Sequence, residues 1–434
     1  MRKKYWKMLF VTAVVGLGFT GFRASAETAK ALDGNGVQVQ FDGTTGMVSL
    51  YGYQEDGTRF QMSRPSCISY PVVNGSVLSD FTDFTCQVEE NVEGTAGKGS
   101  RMTVTSRSAD TGLLRVCELE SVDEVPGLLY VRTSYKAESG QVDVQKFVDC
   151  EFALSNPAQT VWSYNGGGEG QQSFYDTLQK IDLSDGQTFH RANKQDDTSV
   201  GVPAADIYSE NGGITVGDAS ITRREVQTPV DEKDQTVYAA IQRPSRTVAA
   251  QETVAAGEGF VHVHNGDYYM GLRGYADGMR QIGFETLSEE EIPDSSYDLR
   301  WESWGWEFDW TLELILGKLD ELQALGIKQI TLDDGWYNNA GQWDLNSAKL
   351  PNGSADMKRL TDAIHERGMT ALLWWRPCDG GRENSSLYKE HPEYFVQNQN
   401  GTKGKLAGPG ASDRFNGTTG YALCPCSEGA VQSQ

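Results

Sequence analysis

The sequence predicts a multidomain β plus α/β fold: a large antiparallel β-sandwich followed by an incomplete (β/α)8 barrel. Three observations carry this prediction. Period-two alternation with turn residues between the runs fills the stretch from about residue 27 to about 290. After Pro293 the apolar period lengthens to that of helices. The short apolar runs of that later stretch end in aromatic and acidic residues rather than in a glycine-rich turn.

The first 26 residues stand apart. Arg2, Lys3, Lys4 and Lys7 precede an apolar stretch from Met8 to Phe22, and Ala24-Ser25-Ala26 follows as a small-x-small cleavage signature. The stretch is short and glycine-containing for a membrane span. A signal peptide over 1–26, cleaved after Ala26, is therefore expected, with the protein secreted or at the cell surface. Cleavage would remove five positive charges (Arg2, Lys3, Lys4, Lys7 and Arg23) from a chain whose formal charge is already −22. An acidic surface of that size repels nucleic acid and anionic membrane and favours a neutral ligand over a polyanion. Apolar residues at 38% and charged residues at 23% fit a globular protein, and 434 residues suffice for two or three domains.

From 27 to 290 the β-domain announces itself in short runs. Val37–Phe41 alternates, Asp42-Gly43 turns, and Met47–Tyr51 follows; Met102–Ser106, Leu129–Tyr135 and Val237–Ile241 repeat the pattern. Asn265-Gly266 predicts a hairpin turn leading into Asp267-Tyr268-Tyr269. His262 and His264 share one strand face, a spacing zinc sites use, but no third ligand is in view and no metal is expected. The run 165–170, Asn-Gly-Gly-Gly-Glu-Gly, lacks the Lys-Ser/Thr of a phosphate loop and reads as a loop only. The seven cysteines are too few for a disulfide scaffold, and Cys424-x-Cys426 reads as a loop feature.

From 291 to 434 the pattern is strand, helix, strand, helix, strand. Leu312, Ile315, Leu316, Leu319 and Leu322 predict one helix, capped by Asp309 or Thr311 and stopped by Gly326. Ile327–Leu332 reads as a strand. A second helix begins near Ser354, with Met357, Leu360 and Ile364 on one face, and Thr370–Trp374 reads as a buried strand. Such an alternation builds a parallel sheet, and a (β/α)8 barrel keeps its site at the C-terminal strand ends.

Those ends hold the unusual chemistry: Trp301-Glu302-Ser303-Trp304-Gly305-Trp306, then Leu332-Asp333-Asp334-Gly335-Trp336 with Trp343 after it, then Leu373-Trp374-Trp375-Arg376-Pro377. Sugars stack their C–H faces on aromatic rings and donate their hydroxyls to carboxylates. Each cluster alone is compatible with ordinary turns and core. Three at successive strand ends point to a neutral pyranose. Asp333 and Asp334 as a catalytic pair are disfavoured, because neighbouring side chains on a strand point to opposite sides.

Trp304-Gly305, Leu332–Trp336, Trp343, Pro351-Asn352-Gly353, His365–Met369, Leu373-Trp374-x-x-Pro377 and His391-Pro392-Glu393 resemble the start of the barrel in the α-galactosidases of glycoside hydrolase family 36. The resemblance is specific over about 300–400, and it makes the β-rich region that family's N-terminal supersandwich. It implies that Asp333 and Asp334 hold the non-reducing galactose, Trp336 supports the loop, and Trp374 walls the subsite. Trp304 and Trp343 would join them, with Arg414 matching a family arginine at the sugar. Two positions depart from the family: Gln342 stands where an acid is usual, and Trp375-Arg376-Pro377 where Phe-Glu-Pro is usual.

The resemblance implies no cofactor, α-galactoside oligosaccharides or related glycans as partners, and room for a homo-oligomer in the parent protein. Retaining hydrolysis needs two carboxyl groups about 5–5.5 Å apart, and in the family these come from later strands. Residues 298–434 offer far fewer positions than the roughly 250 of a whole barrel. An inactive N-terminal fragment of an α-galactosidase-type parent is therefore expected. The alternatives are a non-catalytic carbohydrate-binding protein, or a glycosidase for another α-linked sugar such as an α-N-acetylgalactosaminide.

Overall fold

In the computed structural model the described residues run from 29 to 434, without 55, 156–159, 166–177, 185–189, 192–202, 222–224, 308, 339–340, 384, 399 and 405–419. The expected signal peptide, the glycine run after Asn165, and Arg414 lie outside them. The chain divides into two compact units, with the described residues up to Phe284 in one and those from Glu285 onward in the other.

The first unit is an antiparallel β-sandwich. One sheet has nine strands, in the spatial order Leu178–Asp182, Thr160–Asn165, Ala204–Ser209, Gly212–Asp218, Thr253–His264, Leu128–Ala137, Leu113–Ser121, Gly97–Ser108, Phe81–Gly94. A seven-stranded sheet is built around Val142–Ala153 and Thr236–Arg243, and a four-stranded sheet covers residues 30–61. The reason they stack is visible in the burial. Alternate residues of each strand, such as Met102 and Val104, Leu129 and Val131, or Val237, Ala239 and Ile241, enter one shared core with Leu32, Val39, Phe41 and Leu50 of the small sheet. Removing these apolar faces from water is the main favourable term.

One expectation is overturned here. Asn265-Gly266 does not make a hairpin; the chain enters a helix, Tyr268–Gln281. Asp267 caps it, its Oδ1 accepting the Tyr269 N–H at 3.0 Å. Gly271, Gly274 and Gly278 recur at helical spacing on its buried face, and this small-residue stripe lets the helix lie against the nine-stranded sheet. A Cβ on Gly274 would stand 2.2 Å from His262 Nδ1, and one on Gly271 2.4 Å from Thr215 Oγ1. Gly274→Ala should therefore destabilise the unit by about 1–3 kcal/mol through overpacking. Urea denaturation checks this, and an unchanged midpoint would count against it.

The two histidines under this helix do share a face, with rings 5.6 Å apart. His264 Nε2 lies 2.9 Å from Asp206 Oδ1, and His262 Nε2 lies 3.2 Å from the Pro126 carbonyl. Burial, reinforced by His264, lowers His262 to about 4. A buried pair engaged with its own neighbours is a packing feature.

The second unit opens with a parallel sheet in the order Arg300–Glu302, Gln329–Leu332, Thr370–Leu373. Helical segments cross between these strands, as parallel pairing requires. The predicted helix after Trp310 starts as expected, with Thr311 Oγ1 accepting the Leu314 N–H at 3.2 Å. It breaks at Gly317, giving Leu312–Leu316 and Leu319–Ala324. Glycine is costly inside a helix, and here the turn tightens, with Lys318 N–H reaching Ile315 O at 2.9 Å. The second helix, Ser354–His365, buries Leu360 and Ile364 against Ile330, Leu332 and Trp310.

Thr370–Leu373 is not the buried strand expected. Its Leu373 is 46% exposed. Among the described residues the strand pairs only with Gln329–Leu332. The chain then forms a small antiparallel pair, Asp379–Arg382 with Gly420–Ala422, which the apolar pattern did not suggest.

Candidate functional site

The parallel register brings three chain segments to one edge of the sheet. Asp333 N–H donates to Ser303 Oγ at 2.9 Å, tying the first strand end to the second. Trp374 N–H donates to Leu332 O at 2.8 Å, and the Trp336 indole N–H donates to Trp374 O at 2.9 Å, tying the second to the third. Each rim position is thus held by a neighbouring strand as well as by its own.

The two aspartates differ in environment. Asp333 is buried, and its Oδ1 accepts the N–H of Asp334 at 2.6 Å. Asp334 is half-buried and takes a 2.5 Å hydrogen bond from the Tyr337 hydroxyl on Oδ1. Burial, with the Asp334 carboxylate beside it, pushes the Tyr337 phenol well above its ordinary value. The phenol therefore stays a donor that fixes the Asp334 carboxylate.

Around them stand four rings. Tyr337 and Trp374 are nearly parallel at 6.2 Å, and Trp336 and Trp343 nearly parallel at 6.1 Å. Edge contacts close the group: Trp336–Tyr337 at 5.3 Å, Tyr337–Trp343 at 4.8 Å and Trp343–Trp374 at 6.4 Å. Trp336 and Tyr337 are buried, whereas Trp343 and Trp374 are half-buried and keep apolar surface toward solvent. Trp343 sits at φ 57°, a left-handed conformation that a bulky side chain rarely adopts. Its indole N–H donates to Gln434 Oε1 at 2.8 Å.

A basic group adjoins the aromatic wall. The Arg376 guanidinium lies 5.3 Å from the centroid of Trp374 and pairs with the buried Asp379. Burial lowers the neighbouring Arg382, and the negative charges of Asp379 and Asp334 oppose that shift.

Of the residues singled out in the sequence, Asp333, Asp334, Trp336, Trp343 and Trp374 form one connected group. Trp304 lies half-buried on the 3-10 turn Ser303–Trp306. Beside it in sequence, Trp301 and Trp306 make their own edge contact at 5.0 Å. Gln342, one of the departures from the family pattern, has a structural role. Its side chain takes the Ser386 N–H at 3.2 Å and donates to Ser386 Oγ, holding the start of the helix Ser386–Glu390. Sequence reasoning missed Tyr337, Ser303, Asp379 and Arg382. The signal for Tyr337 was its place three residues after Asp334, within hydrogen-bonding reach once the loop turns back.

Comparison with known proteins gives three kinds of similarity. Residues 296–407 match the Melibiase family model. The chain is 53% identical over 409 residues to an A type blood α-D-galactosamine galactosaminidase of Flavonifractor plautii, covering 94% of this chain and 38% of that protein. It is 28% identical over 134 residues to the α-galactosidase Mel36A of Lactobacillus acidophilus, covering 29% of this chain and 18% of that one. A solved glycoside hydrolase family 36 α-galactosidase of Geobacillus stearothermophilus, a variant of AgaA in complex with raffinose, superposes with a TM-score of 0.51. That match has 15% identity over 93% of this chain and 62% of that chain, which speaks to the fold alone. The chain thus spans less than two thirds of the length of each.

Proposed function

We propose that this chain, a glycoside hydrolase family 36 α-galactosidase-like protein, binds at its strand-end site the terminal galactose-configured sugar of an α-linked glycoside for hydrolysis. The observation that carries the reading is the join of Asp334 to the ring wall. The carboxylate is fixed by the Tyr337 hydroxyl at 2.5 Å, and the Tyr337 ring is stacked on Trp374. A fixed acceptor beside an apolar face discriminates a hydroxyl's orientation, since an epimer leaves the acceptor unpaired in a partly dry site.

Two substrates follow from this arrangement. A terminal α-D-galactoside is the reading that the family supports. Terminal α-D-galactosamine is favoured by the extent of similarity to the Flavonifractor galactosaminidase. An amino sugar also suits a rim that carries Asp333 and Asp334, because an ammonium gains from nearby carboxylates.

The test is a panel of p-nitrophenyl α-glycosides of galactose, galactosamine, N-acetylgalactosamine and glucose. Hydrolysis is assayed on protein matching the full length of the relatives, and binding on this chain. Preference for either galactose-configured amine or alcohol over the glucoside by about 100-fold or more supports the reading. Equal handling of galactoside and glucoside would remove it.

A further inference from the structure

We propose that Glu302 is a positioning residue for the sugar-holding carboxylates: it acts as a neutral acid that donates to Asp333 and so fixes the Asp333–Asp334 pair at the strand end. The inference rests on the functional reading above and on the register of the parallel sheet. Glu302 lies directly opposite Thr331. Asp333 is two residues beyond Thr331, so with a side-chain period of two it projects to the same side of the sheet as Glu302. The register thus brings the two carboxyl groups within hydrogen-bonding reach of each other. Neither ionised carboxylate has a proton to donate, so a bond between them exists only when one of them is protonated.

Glu302 is the better home for that proton. Asp333 is buried and its Oδ1 is already engaged as an acceptor, taking the Asp334 N–H at 2.6 Å. Glu302 is exposed and exchanges freely with solvent. The bond to Asp333, with burial second and the Asp333 charge third, raises Glu302 to about 7, and Arg300 on its own strand opposes the shift. Ser303, the next residue, holds the Asp333 amide at 2.9 Å. Glu302 and Ser303 thus grip Asp333 by side chain and by backbone, and Asp333 in turn grips the Asp334 amide.

The sign follows from the raised value. Below about 7 the proton is in place and the pair is clamped; as pH rises through that value the proton leaves, and two like charges repel across the strand ends. Galactoside affinity should therefore fall on the alkaline side.

The experiment uses the full chain with Glu and Asp carboxyl carbons labelled with carbon-13, methyl α-D-galactopyranoside as the probe, and calorimetry from about pH 5 to about pH 9. The Glu302 signal should titrate near 7 in the wild type and return toward the ordinary glutamate range in Asp333→Asn. Wild-type affinity should drop about tenfold across the transition, the size expected for losing one charge-assisted bond. Glu302→Gln, whose amide still donates, should keep the low-pH affinity within about threefold and lose the drop, while Glu302→Ala should be weak at every pH. A Glu302 signal with an ordinary carboxyl value, or an undiminished drop in Glu302→Gln, overturns the proposal. Wild-type chain that binds no galactoside at any pH overturns the functional reading instead, and the carboxyl titration still decides whether Glu302 holds Asp333.

Discussion

Asp334→Ala is expected to weaken galactoside binding by about 100-fold or more, close to 3 kcal/mol, while leaving the fold intact. The size comes from two losses. Asp334 is the more open of the two rim carboxylates, so its free lone pairs are the ones a sugar hydroxyl can reach. Each charge-assisted bond from a hydroxyl is worth about 1.5–3 kcal/mol. The second loss is rigidity: Tyr337, buried and donating to Asp334 at 2.5 Å, would be left without its acceptor. Asp334→Asn separates the two effects, because the amide oxygen still accepts from Tyr337 but carries no charge. It should retain the ring wall, read by near-ultraviolet circular dichroism, and lose most of the affinity. Calorimetry with methyl α-D-galactopyranoside decides the matter, and Asp334→Ala binding within threefold of the wild type would sink the site.

Local patterns reported the fold well where the physics is local. A strand such as Met47–Tyr53 shows in the sequence because alternate residues are buried and those between them are less so. The helix Ser354–His365 shows for the same reason at its own period. Tyr268–Gln281 was hidden because its buried face is made of glycines. Glycine carries no apolar signal and disfavours helix, and the packing against His262 and Thr215 that overrides this is tertiary. At the site, the aspartates and indoles were legible by residue type alone. Tyr337 was not, since a tyrosine in a rim loop looks like any other until its hydroxyl is seen on Asp334. Glu302 was harder still. Its role depends on which residue of a strand 29 positions away lies opposite, and only the register supplies that.

Arg243→Ala is expected to have the largest effect on stability, about 3–5 kcal/mol at neutral pH. Arg243 ends the strand Thr236–Arg243 of the seven-stranded sheet and reaches across to the nine-stranded one. Its Nη1 lies 2.6 Å from Asp218 Oδ1, its Nη2 donates to Glu258 O at 2.7 Å, and its Nε lies 3.4 Å from Asp149 Oδ2 within its own sheet. The three ionic side chains are at most 5% exposed. Gly257, at φ 152°, leaves the room the guanidinium needs, since a Cβ there would stand 2.3 Å from Nε. Removing the cation strands two carboxylates between the sheets. Burial already raises Asp149, and Arg243 is the main force opposing it. Without that force Asp149 protonates at higher pH, so the variant's stability is best at acid pH and falls as pH rises through the new value. The cost of the substitution should therefore shrink markedly near about pH 4. Replacing all three groups together, as Arg243→Met with Asp149→Leu and Asp218→Leu, should recover much of the loss, because the penalty is the orphaned charge rather than the missing attraction. Urea denaturation at two pH values tests this. A neutral-pH cost below about 1 kcal/mol, or an equal cost at both, would show that the buried ions are not what joins the sheets.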